Sequence, residues 1–558
     1  MNRKEIKKGK AGWKGWFDRN KVVIILLALL FLFHAVNNYI VLKIDNTPPL
    51  VDATGHYDNS VKHYLDSKEG VVSFVKEYYN RYYSYPPLFT MSAAIMYPLF
   101  GIGPDVGVMI NLVYFLILLL SVFFIGRKLG GDGVGLFAAF IVSVFPTIFG
   151  LSRVFMLDFA VTAMVALAIC LLLYTDYFKN RLFSILFGIS LGLAFLVKWT
   201  TPLFIGASLL LYLIYSFNFK EIVIKKNFAK YKRQVLNFLI SLFLAFLLSL
   251  TWIIPNFKEF FAEFFSVMTD VVDFPMDLLF YSRVVQGQIS SFFFVLFVIL
   301  LIFILFSFIN LKLNFRDSDK KYLLLLLLWL IIPLVYFSLL RRMEPRWGVP
   351  YLPVFAILIA FSIFKIGNVR LRKGLILLVV LLALFQFFLF NYGELVRQNN
   401  QHIYKYGLIA PNNDDWQVGA ILRTINQTRD SHTNRVTIFL TDSFEFYVCP
   451  PEERLKYKEF RCEVKDLFVK IINYPELSKS DNLSFWIQSH FESADYILYV
   501  EPVPIYFSGV QLFISEGIYD LFEENKEKFD KIGEFHLPDN KVLTLYKRVI
   551  YEEGQKEE

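Results

Sequence analysis

Cysteine is scarce in this chain. Cys170, Cys449 and Cys462 are the only three in 558 residues, far below the density of a disulfide-built scaffold. Charge is scarce too: Asp, Glu, Lys and Arg make up 19% of the residues against 56% hydrophobic. That balance excludes a disordered polymer. It also excludes a string of soluble domains, although the length would hold three or four at about 150 residues each. What the chain has in quantity is apolar and aromatic surface, with 61 Phe, 31 Tyr and a mean hydropathy of +0.48. This is the composition of a membrane-embedded protein, whose lipid-facing and interfacial surfaces take large rings. The net charge of +8 acquires meaning only from where the Lys and Arg fall, because their placement orients a membrane protein.

The first 21 residues carry Arg3, Lys4, Lys7, Lys8, Lys10, Lys14, Arg19 and Lys21 against Glu5 and Asp18, and an apolar run from Val22 to Leu42 follows. About twenty residues give roughly 30 Å of helix, one bilayer core. With no small-residue cleavage site after it, the run reads as a retained anchor with a cytoplasmic N-terminus. Further runs of bilayer length lie near 106–126, 134–152, 159–175, 182–197, 202–217, 235–254, 290–310, 322–340, 349–364 and 374–391. The stretch Pro86 to Phe100 is shorter and proline-bounded, which suits an interfacial or re-entrant helix. Leaving it out of the count puts Arg127/Lys128, Lys179/Arg181, the cluster from Lys220 to Arg233, Lys312 to Lys321 and Lys365 to Lys373 all on the cytoplasmic side, as the positive-inside bias requires. The expectation is a polytopic α-helical membrane protein of about eleven transmembrane helices in the plasma membrane. Residues 1–21 form a cytoplasmic tail, 22–391 the membrane module with external loops 43–105 and 255–289, and 392–558 a soluble extracytoplasmic α/β domain.

In that last region Asp415 to Asn426 has helical periodicity, and Arg435 to Thr441, Asp495 to Val500 and Val542 to Lys547 read as strands. It has no glycine-rich phosphate loop and no His/Cys zinc spacing. Cys449 and Cys462 lack paired Cys-x-x-Cys knuckles; a disulfide or two free thiols both fit them. Asn426-Gln427-Thr428 and Asn482-Leu483-Ser484 are glycosylation sequons that short sequences produce often by chance. The 255–289 loop interleaves Phe260, Phe261, Phe264 and Phe265 with Lys258, Glu259 and Glu263, an amphipathic pattern that suits either a cover over the outer surface or a helix packed at the interface.

Ionisable residues inside or beside spans are costly. Four recur at the outer ends: Asp52, Asp158, Lys198 and Arg346. A carboxylate there can take a proton from a hydroxyl, while Arg and Lys can hold a phosphate. The combination suits transfer from a lipid phosphate donor. The plain alternative is that such residues only anchor helix ends.

At these residues the chain resembles the GT-C integral-membrane glycosyltransferases of the protein O-mannosyltransferase and aminoarabinose transferase group. Pro48-Pro49 through Asp52-Ala53-Thr54-Gly55-His56-Tyr57 is similar to that group's first-loop acidic motif, and Tyr85-Pro86-Pro87-Leu88 to its juxtamembrane motif. Arg153 to Asp158 resembles its second acidic motif, Gly192 to Lys198 its span end, and Arg346 to Pro353 its Arg-Tyr turn. The resemblance implies an inverting sugar transfer from a polyprenyl-phosphate carrier to an extracytoplasmic acceptor, whether lipid, glycan or protein hydroxyl. Asp52 would be the base and Asp158 would position a substrate. His56, Tyr85, Arg153, Lys198 and Arg346 would contact donor or acceptor. Ala53 stands where many relatives have Glu, and Tyr85 where aminoarabinose transferases have Lys, which points away from aminoarabinose as the sugar. Asp52 and His56, four apart, share a helix face and could give two ligands to a divalent cation, with no third ligand evident; no other cofactor is called for, and no nucleic acid. Two other classes compete: a transporter or flippase for a lipid-linked or anionic substrate, and a non-catalytic envelope assembly protein. Transporters place ionisable groups near mid-bilayer on broken, repeated helices, whereas here they sit at span ends.

Overall fold

The computed structural model describes residues 13–45, 52–80, 85–217, 228–258, 260–261, 280–309, 317–339, 344–392, 417–429, 435–440, 468–472, 491–501, 520–537 and 542–549. Cys449, Cys462, the Asn482 sequon, Phe264 and Phe265 lie outside the described residues. The chain divides into two compact units. One comprises Met1–Lys43, Asp66–Ala93 and Val108–Pro411; the other comprises Ile44–Leu65, Ala94–Gly107 and Asn412–Glu558.

The first unit is a bundle of apolar helices. Each of the eleven apolar runs carries a helix, but among the described residues seven helices are long and apolar enough to cross a membrane: Asn20–Ile44, Pro104–Gly130, Leu157–Tyr174, Ala229–Ile253, Lys320–Leu339, Pro345–Phe364 and Val369–Tyr392. An eighth is counted if Phe280–Ile289 and Ser291–Phe303, bent by 111° at Ser290, make one span. The run expected at 134–152 is split. Asp132–Ser143 ends before Phe145, and Pro146, which has no N–H to give a preceding turn, opens the separate helix Pro146–Leu151. Arg181–Val197 and Thr201–Ser216, at 17 and 16 residues, fall short of the twenty or so that a bilayer core takes. The Pro86–Phe100 stretch forms two short helices, Leu88–Ala94 and Tyr97–Phe100.

Close helix contacts rest on missing side chains. A Cβ on Gly188 would lie 2.4 Å from the Ser241 carbonyl oxygen, and one on Gly135 would lie 2.4 Å from that of Phe123. Glycine therefore lets Arg181–Val197 seat against Lys232–Ile253, and Asp132–Ser143 against Ile110–Gly130, backbone to backbone. After Leu157–Tyr174 the chain reverses through Asp176, Tyr177 and Phe178, three consecutive non-glycine residues at φ 49°, 56° and 60°. Each such residue costs on the order of 1–3 kcal/mol, and later helices brace them. The Tyr177 N–H donates to Tyr212 Oη at 2.8 Å, Gln234 Nε2 donates to the Tyr177 carbonyl at 2.9 Å, and Asn237 Nδ2 donates to the Phe178 carbonyl at 2.8 Å.

In the second unit, strands β1 (Arg435–Leu440), β2 (Phe468–Ile472), β3 (Tyr496–Glu501), β4 (Phe529–His536) and β5 (Val542–Arg548) form one mixed sheet in the order β2-β1-β3-β5-β4. Strand β1 pairs in parallel with β2 and β3, and β5 runs antiparallel to β3 and β4. Tyr496, Ile497 and Leu498 of the central strand β3 are all buried, as a strand covered on both faces must be. The helix Val418–Thr428 buries Ile421 and Ile425, and its C-terminal end is fixed by Lys547 Nζ donating to the Thr428 carbonyl at 2.7 Å. In the same unit the helix Asp52–Lys68 buries Tyr57, Ser60, Val61 and His63, and the Ser60 and Tyr97 hydroxyls share a hydrogen bond of 2.6 Å. Burial pushes the Tyr97 phenol above its ordinary range against the opposing effect of that bond, so Tyr97 keeps its proton.

Candidate active site

Asp158 stands in the first turn of Leu157–Tyr174, and Lys198 caps the C-terminus of Arg181–Val197. A helix start favours a negative group and a helix end a positive one, so both charges suit their own helices before they meet. They do meet: Lys198 Nζ donates to Asp158 Oδ1 at 2.9 Å, with the side chains 10% and 3% exposed. The Thr162 hydroxyl donates to the Asp158 carbonyl, and the Thr201 hydroxyl to the Lys198 carbonyl, which fixes the backbone under both groups. Lys198 Nζ also lies 5.9 Å from the centre of the Tyr85 ring, within reach of a cation–π attraction.

Arg346 enters the same region from the turn Pro345–Tyr351. Its Nη1 lies 3.9 Å from Met156 Sδ, two residues before Asp158, and its Nε lies 4.0 Å from Glu344 Oε2. The turn is held from beneath: Tyr281 Oη donates to the Glu344 carbonyl, Gln288 Nε2 to that of Pro345, and Trp329 Nε1 to that of Pro350. Tyr85, Asp158 and Lys198 are thus brought together, and Arg346 approaches the entrance to the Asp158 helix. Arg153 is turned inward. It is 7% exposed, its Nε donates to the Phe149 carbonyl at 3.0 Å, and its guanidinium carbon lies 5.2 Å from the Phe149 ring centre.

Asp52 opens the helix Asp52–Lys68 and is partly exposed, while His56, one turn on, is buried at 7%. Both belong to the second compact unit. Among the described residues no three His, Cys, Asp or Glu side chains come together in a way that could hold a metal ion. Met156 and Glu344, the neighbours of Arg346, have no signal of their own in a single sequence. His34, Asn37 and Asn38 do have one, as polar residues inside the first apolar run.

Residues 84–254 match the family described as dolichyl-phosphate-mannose-protein mannosyltransferase. That stretch contains Tyr85, Arg153, Asp158 and Lys198 and leaves out Asp52, His56 and Arg346. Among solved structures the chain is similar to ArnT from Cupriavidus metallidurans in the apo state, at 12% identity and a TM-score of 0.58, over 95% of this chain and 98% of that one. It is also similar to the same ArnT bound to undecaprenyl phosphate, at 11% identity and a TM-score of 0.58, over 94% and 98%. The comparison with curated proteins found no match. The likeness to ArnT gives the fold over nearly the whole chain, while the family match is confined to residues 84–254.

Proposed function

We propose that the protein is a glycosyltransferase that moves a sugar from a polyprenyl-phosphate carrier to an extracytoplasmic hydroxyl. The observation that carries this reading is the buried Lys198–Asp158 pair beneath Tyr85, with Arg346 beside Met156. It gathers cations of the kind that hold a phosphate, and Tyr85, Asp158 and Lys198 lie within the family match. The ArnT that shares the fold was crystallised with undecaprenyl phosphate, which supports a donor of that kind.

In the proposed step, the acceptor oxygen attacks the anomeric carbon while its proton passes to the Asp52 carboxylate. The bond from that carbon to the phosphate oxygen breaks, and the polyprenyl phosphate leaves with the electron pair. One displacement inverts the configuration. The leaving group is already anionic, so it needs positive charge more than a proton. Lys198 and Arg346 supply that charge, Asp158 holds Lys198 in place, and His56 and Tyr85 complete the contacts around the substrates, while Arg153, turned inward against Phe149, supports the turn that leads to Asp158. Each of the eleven apolar runs makes one span, with residues 1–21 in the cytoplasm and 392–558 outside.

Purified protein given a labelled polyprenyl-phospho-sugar and a cell-envelope extract should transfer label to an acceptor. Asp52→Asn should lower the rate by about 10²–10⁴-fold, the range of a lost general base, and equal transfer by that variant would remove Asp52 from the role. Carriage of the lipid-linked substrate across proteoliposomes with no covalent product would replace the enzyme reading by a transporter.

A further inference from the structure

The first and last spans meet around a layer of rings. The His34 ring centre lies 4.8 Å from that of Phe115 and 5.4 Å from that of Phe387. One helical turn from each of these residues its own helix carries an asparagine: Asn38 four after His34, Asn111 four before Phe115, and Asn391 four after Phe387. Residues four apart share a helix face, so the rings' meeting brings the amides to one level. Two contacts fix the side on which they gather. Asn38 Nδ2 donates to Ser152 Oγ at 2.9 Å, and Asn111 Nδ2 donates to the Val154 carbonyl at 2.9 Å. Both therefore reach the turn 151–154 that leads to Asp158. The last span is tied to the same level by Tyr392 Oη donating to Asn37 Oδ1 at 2.7 Å.

Each of the three asparagines spends its amide nitrogen on a protein acceptor, with Asn391 Nδ2 donating to the Phe387 carbonyl. That fixes which end of each amide is oxygen. The three Oδ1 atoms are buried and have no hydrogen-bond partner among the described residues, and the same holds for Asn37 Nδ2 and both ring nitrogens of His34. The five side chains belong to residues that are 0–5% exposed. Buried polar atoms in a membrane-embedded unit are costly unless paired, so the set calls for a ligand.

Its chemistry selects the class. An anion would need mainly donors, and here acceptors outnumber them. A cation would use the acceptors but would stand near the Arg153 guanidinium, which lies against the Phe149 ring, itself 4.8 Å from Phe387. It would also leave Asn37 Nδ2 unmatched. Small neutral molecules that both donate and accept match both kinds of group. We infer that these groups form a binding site for resident water, which bridges the Asn38, Asn111 and Asn391 carbonyls to Asn37 and His34 between the first span, the last span and the Arg153 turn. The site does not depend on glycosyl transfer.

The full-length protein in lipid nanodiscs, pulsed with X-rays to generate hydroxyl radicals from water in place, tests this by mass spectrometry. Phe145 and Phe293 form a ring pair with centres 5.2 Å apart, both fully buried, and serve as the dry internal standard. The expected result is labelling of His34, Phe115 and Phe387 several-fold above that standard, falling back to it in an Asn38→Leu/Asn111→Leu variant. Labelling of the three at the level of Phe145 and Phe293 in the unmodified protein would overturn the site. That comparison needs no variant and decides the matter even if the double substitution fails to fold.

Discussion

Lys198 and Asp158, forty residues apart in sequence, hold each other at 2.9 Å with little solvent around either side chain. Two helices of the membrane unit are therefore joined at their ends by a pair of opposite charges, and removing one charge strands the other. Asp158→Asn or Lys198→Met alone should destabilise the protein by about 3–5 kcal/mol, as breaking a buried pair does. The double variant should recover most of that loss, because neither charge is then left alone. Unfolding midpoints of the four proteins in one detergent check this, and a double variant whose loss equals the sum of the singles would show that the two charges are not coupled.

The centre of the Tyr85 ring lies 5.9 Å from Lys198 Nζ, so the ring is the group expected to act on it. Tyr85→Phe should leave transfer near the wild-type rate. Tyr85→Leu should lower it by about two- to thirtyfold, from a contact worth roughly 0.5–2 kcal/mol. Initial rates with a labelled lipid-linked sugar separate the two, and loss of activity in Tyr85→Phe would show that the hydroxyl is the working group.

Gly188 has no room for a side chain because the obstacle is Ser241 backbone at 2.4 Å, which cannot rotate aside. Gly188→Val should destabilise by about 3 kcal/mol, the upper part of the overpacking range. Gly206→Val, where a Cβ meets nothing within 4 Å, is the matched control and should leave the midpoint almost unmoved. The same size of change in both would mean that helix propensity, not crowding, sets the effect.

Tyr212→Phe removes the oxygen that accepts the Tyr177 N–H. Leaving that donor unpaired should cost about 1–3 kcal/mol, and the turn at 175–180 should become open to limited proteolysis before the bundle unfolds. A variant as resistant as wild type would locate the brace elsewhere.

The sequence carried the helices well because apolar runs report burial in lipid directly. It carried their lengths less well. Pro146 was legible as a breaker inside 134–152, but the bend at Ser290, a non-glycine residue at φ 76°, comes from packing, including its hydroxyl donating to Gln386 Oε1 from 96 residues away. In the sheet, β1, β3 and β5 showed as apolar runs. Strand β4, FDKIGEFH, alternates with charged residues and glycine and gave no comparable signal. Of the site, Asp158, Lys198 and Arg346 could be picked out as ionisable residues at span ends. That Lys198 would be matched with Asp158 could not be read, since pairing depends on which helix ends become neighbours. Arg153 looked equivalent to Arg346 in sequence, yet one faces Phe149 inside the bundle and the other reaches Met156. The difference lies in backbone direction through two short turns.

The left-handed residues at 176–178 are held by Tyr212, Gln234 and Asn237, all of which lie later in the chain. A nascent polypeptide ending before residue 212 has none of these partners, and residues with a Cβ leave that backbone region readily when unsupported. Beyond its local bonds to Thr175, the reversal therefore gains these three braces only after the helices Thr201–Ser216 and Lys232–Ile253 have been made and have docked. It works as a clasp that closes late in biogenesis, and its closure marks the completion of that helix group.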